Sequence, residues 1–464
     1  MSTPTPGRRT AETRGRQVDV TLLMAVGLPL LVLVTALLVR PGDVEREGSA
    51  PEETPLTSAT VICPSGPAGM TIANDSDATG TVTVRQGRNE GETSLAPHRV
   101  TEVPAGPAPV VVTADGDLAP GLLAGRSGSP LVAPDCGPPA FDEWFTGVGA
   151  GAKHSSVLEL VNPDEGPAIV DTLVYGRAGL IDAQVLRGVA VPGRSVVRID
   201  LAQKLPRRDE LALRVTTTRG RVSAAVLDEY DELGGRGSAT DYLPSQPEPT
   251  TSNLLLGLPE GSGRRILLLA NPAETETRAS VKVVTKKSVF AAVGSDEVLL
   301  PPQSVTKVSI APLLRGRNAA DALGLLVESG SPVTATARLF IGQDLSHAVA
   351  PEPLTETSLV VPTGAKQLLL GGATGAGVVR VVSRDAAGEV LADKRLDVLA
   401  DRGGTLSLPR KAVLVSVSTN GVTISGSVLA TGDGSAVLRL QPLQRSGLVA
   451  HVRPGAPYVS SPPG

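Results

Sequence analysis

Apolar residues follow two different patterns along the chain. Residues 20–39 are twenty consecutive uncharged residues, enough for a helix of roughly 30 Å, the thickness of a bilayer's hydrocarbon core. Beyond residue 58, short apolar runs alternate with polar residues, as in residues 81–84 and 413–417, which is typical of half-buried strands. The pattern predicts one N-terminal transmembrane helix followed by an all-β fold.

Charges on either side of residues 20–39 predict the orientation of this helix. Arginines precede it, whereas acidic residues predominate in the proline-containing segment that follows. The positive-inside rule then predicts a cytoplasmic tail at residues 1–19, a signal anchor at 20–39, an acidic Pro-rich stalk at 40–58 and an extracytoplasmic remainder. The alternatives are a cleaved signal peptide, whose apolar core is usually about 7–15 residues long, and a buried helix.

Composition narrows the fold class of the exported part. Aromatic residues make up only 2% of the chain, so Val, Leu, Ala and Thr must form the core. The 51 glycines and 39 prolines supply the many turns that short strands need. We therefore expect tandem β-sandwich, immunoglobulin-like units.

Two stretches of the sequence repeat at a fixed distance. An apolar run leads into Asn162-Pro163, and a second leads into Asn271-Pro272, an offset of 109 residues. Ser195 and Ser304 show the same offset, and each stretch is predicted to close with a hairpin at a glycine. Weaker copies on both sides predict four units, at residues 59–140, 141–235, 254–349 and 364–452, with polar linkers at 229–253 and 350–363 and a flexible tail at 453–464.

The two cysteines, Cys63 and Cys136, both lie in the predicted exported part. In an oxidising compartment a disulfide between them is the natural hypothesis. Two free buried thiols, a metal site and a catalytic role are the alternatives, although zinc needs more ligands than two cysteines and scattered histidines offer.

Charge and motifs disfavour several function classes. The net charge is −4 with dispersed basic residues, which disfavours nucleic-acid binding. His154 adjoins Ser155 and Ser156, but a Gly-x-Ser-x-Gly elbow is missing. The Gly-rich segment 371–377 lacks the Lys-Ser/Thr of a phosphate loop, and residues 74–80 lack the final glutamate of a calcium loop. We predict no catalytic, cofactor-binding or metal-binding residues and no cofactor.

One dense aromatic patch stands out because aromatics are rare in this chain. It contains Phe141, Phe145 and Trp144, which is the sole tryptophan. These rings could fill the junction between units 1 and 2 or contact a partner, since aromatics contribute strongly to interfaces. The neighbouring Asp142 and Glu143 point to opposite faces of a strand and do not predict an acid/base pair.

Several of these features together resemble a known family. They are the anchor, Cys63-Pro64 with Cys136, residues 144–147, the two Asn-Pro turns, and the Ser223-Ala224 and Thr334-Ala335 strands. The chain resembles an actinobacterial family of membrane-anchored, exported proteins catalogued only as a domain of unknown function. The resemblance implies residence in the cell envelope and supplies no activity.

Three functional hypotheses follow. The first is a non-enzymatic envelope scaffold, held in the lipid bilayer through residues 20–39 and partnered by another envelope protein. The second is a ligand-binding or sensing ectodomain whose small-molecule ligand is unknown. The third is an exported hydrolase.

Overall fold

A computed structural model describes residues 28–31, 34, 52–67, 69–231, 238–291, 297–314 and 321–449. The predicted cytoplasmic tail, most of the predicted anchor, the stalk up to residue 51 and the C-terminal tail lie outside these residues. Within the described ranges, the structure contains no helix that is long and apolar enough to cross a membrane.

The described part of the chain is built mainly from β-strands, so the prediction of an all-β fold is confirmed. Residues 55–447 form one compact body. The strands at the two chain ends are β1 (Glu52–Pro55) and β34 (Ser446–Val449). Between them the chain forms four groups of strands, which we call repeats 1 to 4.

Repeat 1 consists of two sheets around one hydrophobic core. Its strands are β2 (Ser58–Cys63), β3 (Met70–Asn74), β4 (Gly80–Gln86), β5 (Asn89–Leu95), β6 (Val100–Val103), β7 (Val110–Asp115) and β8 (Leu122–Gly125), with a 3-10 helix at Gly116–Gly121. One sheet has the order β2-β7-β4-β5 and the other β6-β3-β8. Buried residues of both sheets, such as Ile72 and Val112, share the core.

Repeat 2 has the same plan. Its strands are β9 (Asp142–Ala150), β10 (His154–Val161), β11 (Ala168–Gly176), β12 (Gly179–Ile181), β13 (Val189–Val191), β14 (Val196–Asp200), β15 (Arg208–Arg219), β16 (Ser223–Asp231) and β17 (Ser238–Leu243). Short helices lie at Gln184–Leu186 and Leu201–Lys204. β15 pairs with β9 and β11, whereas β16 pairs with β10 and β17.

Repeat 3 follows repeat 2 strand by strand. Its strands are β18 (Thr250–Leu256), β19 (Gly263–Asn271), β20 (Thr277–Thr285), β21 (Val289–Ala291), β22 (Val298–Leu300), β23 (Ser304–Ser309), β24 (Ala322–Ile341) and β25 (Asp344–Val349). The long β24 serves both sheets, because its first half pairs with β18 and β20 and its second half with β19 and β25.

Repeat 4 has one sheet of order β26-β31-β28-β29 and another of order β30-β27-β32-β33. These strands are β26 (Glu356–Val360), β27 (Ala365–Gly371), β28 (Gly377–Arg384), β29 (Val390–Val398), β30 (Gly404–Ser407), β31 (Leu414–Asn420), β32 (Ser425–Thr431) and β33 (Ser435–Arg439). The first strand of each repeat therefore pairs with an equivalent later strand of that repeat. The pairs are β2 with β7, β9 with β15, β18 with β24 and β26 with β31.

The predicted closing hairpins are wrong. At Gly220, which has φ of 77°, the chain passes from β15 in one sheet to β16 in the other. At Gly330 the equivalent chain continues as the single strand β24. The alternating apolar pattern on both sides of the glycine is the same for a hairpin and for a strand that changes sheets, so the pattern alone does not separate them.

The repeated asparagine has the same structural role in repeats 1, 2 and 3. Asn74, Asn162 and Asn271 are almost fully buried. In each, the side-chain amide donates to the carbonyl four residues later at 2.8 Å. The side-chain oxygen accepts from the backbone N–H two residues later. This Asx-type turn lets the chain leave one strand without unpaired buried groups.

The linkers predicted between repeats contain strands. β17 and part of β18 lie within residues 229–253, and β26 lies within residues 350–363. These are the terminal strands of their repeats, and their polar and proline-rich flanks resemble linker composition.

Repeat 1 and repeat 4 contact each other although they are far apart in sequence. Asp75 accepts hydrogen bonds from Ser358 and, at 3.1 Å, from Ser416. Arg445 lies 3.0 Å from the same carboxylate. Ala73 packs with Leu414 in a small apolar cluster between these repeats. Within residues 55–447, the first and the last repeat are therefore in direct contact.

Candidate functional site: the buried junction between repeats 2 and 3

An aromatic plug fills part of the junction between repeats 2 and 3. Trp144 on β9 is 3% exposed and stacks on Tyr175 of β11, with 5.3 Å between ring centroids. Ala270 and Val305 of repeat 3 complete this apolar cluster. Phe145 instead points into the core of repeat 2, and Phe141 is 75% exposed. Of the three predicted aromatic residues, only Phe141 presents its ring to solvent.

Asp228 on β16 is the centre of a buried polar network. Its side chain is fully buried. One carboxylate oxygen lies 2.7 Å from Nε2 of His154 and accepts from Ser156 at 2.6 Å. His154, Ser156 and Asp228 meet because β10 and β16 pair in the register that sets Ser156 opposite Asp228.

Repeat 3 completes the network by inserting His347 from β25. Its Nε2 lies 3.0 Å from the second oxygen of Asp228, and its Nδ1 lies 3.1 Å from Asp241 of β17. His347 is 1% exposed. Two positions later on the same strand, Val349 packs into the core of repeat 2. One face of β25 thus belongs structurally to repeat 2.

A second set of charges extends the junction along the interface. Arg338 on β24 is 1% exposed, donates to the carbonyl of Gly147, and reaches Glu210 at 3.2 Å. Its Nε lies 3.9 Å from Asp228. The Lys307 ammonium donates to Glu210 at 2.5 Å. Three carboxylates, Asp228, Asp241 and Glu210, therefore face one arginine, one lysine and two histidines.

These contacts shift the ionisation of the buried groups. Burial by itself raises the pKa of the Asp228 carboxyl, but the charges and hydrogen bonds of His154 and His347 outweigh it and hold the pKa far below its usual range. Burial lowers the pKa of His347, but the two flanking carboxylates outweigh it, and the pKa lies above the ordinary 6.5. Burial raises the pKa of Asp241. The pKa of Glu210 is lowered, because Arg338 and Lys307 overcome burial.

The arrangement of His154, Ser156 and Asp228 differs from a nucleophilic triad. In a triad the serine hydroxyl donates to the histidine, which is oriented by the carboxylate. Here the Ser156 hydroxyl donates to Asp228 and accepts from the backbone N–H of Gly149 at 2.8 Å. All three side chains are buried. The chemistry that this geometry supports is charge-assisted cross-linking of two repeats.

A large cleft of about 1360 Å³ opens near this junction and is lined by residues of all four repeats. Lys366 lies at its wall but is 4% exposed, and its ammonium donates to the carbonyls of Gly364 and Arg410 at 3.1 Å. Burial lowers the pKa of Lys366 to about 8. The exposed polar lining includes Thr240, Glu260, Gln343, Gln367, Arg410 and Thr431.

A disulfide joins Cys63 to Cys136 and so links β2 to the segment that leads into repeat 2. The turn at residues 74–80 is held by Asn74, and the Gly-rich segment 371–377 connects β27 to β28. Among the described residues, no group of His, Cys, Asp or Glu has the arrangement of a metal site.

The two acidic residues beside Trp144, Asp142 and Glu143, bind different partners. Asp142 pairs with the Arg214 guanidinium at 2.5 Å. Glu143 accepts from the hydroxyl of Ser245 at 2.8 Å. Burial raises the pKa of Glu143, against the hydrogen bond from Ser245 and the charge of Arg439. Each carboxyl has its own partner on a different element.

Sequence reasoning singled out His154 but missed Asp228, Asp241 and His347. The available signal was a charge on an apolar face, because Val226 and Asp228 lie two residues apart on one strand and share a face. A buried charge at such a position needs a partner. That two of its partners, His347 and Arg338, come from repeat 3 is visible only in the tertiary structure.

The fold and this junction define an all-β protein of interlocked repeats. The chain belongs to the Family of unknown function (DUF5719), whose model matches residues 101–411. This match includes every residue of the junction described above. A search of curated proteins finds no match.

Proposed function

We propose that this protein is a non-enzymatic, membrane-anchored scaffold of an actinobacterial cell envelope, in which immunoglobulin-like β-sandwich repeats form one rigid body that holds a membrane or cell-wall assembly. The observation that carries the proposal is the interlocking of the repeats, seen in the shared strand β25 and in the contacts of Asp75 with repeat 4. Rigid, multiply joined bodies hold partners at fixed positions without needing reactive groups.

The anchor and orientation are part of this proposal. They rest on the uncharged residues 20–39 and on the arginines that precede them. The disulfide between Cys63 and Cys136 is in keeping with an oxidising compartment. Protease added to intact cells should degrade the part after residue 58 and leave residues 1–19 protected.

The partner of such a scaffold is another envelope protein, and Phe141 is the side chain that we choose to test. Its ring is 75% exposed, so its replacement does not disturb a core. A photo-crosslinking amino acid at position 141 should capture one defined membrane protein in intact cells. The matched control is the same amino acid at Val185, which is also exposed and belongs to the same repeat.

A competition experiment and the control position show whether the captured protein contacts Phe141. Excess wild-type chain should compete with the crosslinking chain and weaken capture. Phe141→Ala should compete much less, while its thermal unfolding midpoint stays that of the wild type. Equal capture from positions 141 and 185, or no captured protein at all, would contradict a partner contact at Phe141. Turnover of wall polymers or peptides by the purified protein would overturn the non-enzymatic part and favour an exported hydrolase.

The cleft of about 1360 Å³ favours a second candidate function, a ligand-binding or sensing ectodomain. Its exposed hydroxyl and amide groups could bind a polar chain, such as a wall peptide or glycan fragment. Calorimetric titration of such fragments into the purified protein tests this function. Gln367→Ala should weaken a genuine cleft ligand, whereas Val185→Ala, which is outside the cleft, should not.

A further inference from the structure

The junction between repeats 2 and 3 contains a histidine of repeat 3, His347, placed between two carboxylates of repeat 2. The carboxylates Asp228, Asp241 and Glu210 face the basic side chains of Arg338, Lys307, His154 and His347. A proton on His347 places positive charge between Asp228 and Asp241. Loss of that proton removes the positive charge that joins Asp228 to Asp241.

The position of His347 gives this charge mechanical importance. β25 carries His347 into repeat 2 at residues on both β16 and β17, and Val349 of the same strand packs into the repeat 2 core. His154 approaches Asp228 from β10 on the opposite oxygen. His347 therefore links repeat 3 to two carboxylates of repeat 2, Asp228 and Asp241.

We propose that this junction is a pH-sensitive latch, which is closed while His347 carries a proton and loosens when a rise in pH makes His347 neutral. Two of the strands that carry these charges also carry apolar residues of the cluster around Trp144, namely Ala212 on β15 and Val305 on β23. Glu210 and Ala212 lie two residues apart on β15, and Lys307 and Val305 lie two residues apart on β23. Loosening of the charge network thus increases local opening at Trp144.

The direction of the pH effect follows from linkage. The pKa of His347 is raised in the folded protein, so its contribution to the junction is fully present below its unfolded value of about 6.5. The contribution is lost as the pH rises through the folded value. Asp228 does not reverse this effect, because its pKa is lowered and it remains ionised throughout the range.

Trp144 is the sole tryptophan and is 3% exposed at this junction, so its fluorescence reports the latch without a label. Quenching of the full chain by acrylamide, a neutral molecule, is measured between pH 6 and pH 9. The quenching constant should be low near pH 6 and should rise roughly twofold or more above pH 6.5, as local opening exposes the indole.

Two variants separate the latch from a general effect of pH. His347→Gln should remove the transition and leave quenching high at every pH. Asp241→Asn removes one of the two carboxylates that stabilise the proton on His347, so the midpoint should move down by about one pH unit. His98→Gln is the matched control, because His98 is a partly exposed histidine of repeat 1, and its midpoint should equal that of the wild type.

Three results would overturn the latch. They are constant quenching from pH 6 to pH 9 in the wild type, an unchanged transition in His347→Gln, and an unchanged midpoint in Asp241→Asn. The Asp241→Asn result keeps the test decisive if His347→Gln folds poorly, because a purely structural aspartate does not set the midpoint of a histidine titration.

Discussion

Repeats 2 and 3 have the same strand order, but Asp228 of repeat 2 and Leu339 of repeat 3, which lie at equivalent positions, have different roles. In repeat 2, Ser156 lies opposite Asp228 in the β10–β16 pair. In repeat 3, Arg265 lies opposite Leu339 in the β19–β24 pair, and Ser156 and Arg265 are 109 residues apart. Leu339 is a core residue of repeat 3, whereas Asp228 is bound by His347 of that repeat.

This difference separates two kinds of residue. Those that repeat, such as Asn162 and Asn271, make the same local hydrogen bonds and maintain the fold of each unit. Those that do not repeat, such as Asp228 and His347, join one unit to the next. Repeat 4 marks the limit of the first rule, since at the end of β27 it has Gly372, with φ of 62°, instead of the Asn-Pro turn.

The largest expected effect is at Asp228. Asp228→Ala should lower the free energy of unfolding by about 3–5 kcal/mol, because it leaves His347 and Arg338 buried without their shared carboxylate. Urea unfolding followed by Trp144 fluorescence measures it. Asp397→Ala, an exposed carboxylate of repeat 4, serves as the control and should stay within about 0.5 kcal/mol of wild type. A loss below about 1 kcal/mol for Asp228→Ala would contradict a charge-dependent junction.

Much of the local structure could be predicted from the sequence, because it depends on neighbouring residues. Alternating apolar residues predicted the strands, and Asn162-Pro163 and Asn271-Pro272 predicted equivalent turns at the offset that the structure shows. The junction could not be predicted. Asp228 and His347 are 119 residues apart, and their contact depends on how two finished repeats pack.

Trp144 illustrates the same limit. Its rarity predicted burial at a junction or contact with a partner, and a position just after Cys136 suggested the junction of units 1 and 2. The structure places its ring against Ala270 and Val305 of repeat 3 instead. Strand β9 follows repeat 1 in the sequence, but the sequence does not show which neighbour the Trp144 face of this strand meets. In the structure that face packs against repeat 3.

The next effect in size tests the residues that repeat. Asn162→Ala and Asn271→Ala should each cost about 1–3 kcal/mol, because each leaves buried backbone groups without partners. The two losses should agree within about 0.5 kcal/mol, since the two asparagines make matching hydrogen bonds at similar distances. Hydrogen exchange of the flanking strands measures each repeat separately. A loss in one repeat that is more than twice that in the other would break the equivalence.

The smallest effect concerns a repeated hydrogen bond in different surroundings. The hydroxyl of Ser195 donates to the Pro192 carbonyl at 2.7 Å, and that of Ser304 donates to the Pro301 carbonyl at 2.8 Å. Ser304 is 1% exposed, whereas Ser195 is partly exposed. Water can therefore donate to the Pro192 carbonyl after Ser195 is replaced. Ser304→Ala should therefore cost about 1 kcal/mol, and Ser195→Ala clearly less. Thermal unfolding of both variants decides the point, and equal losses would mean that the hydrogen bond itself, rather than its burial, determines its contribution.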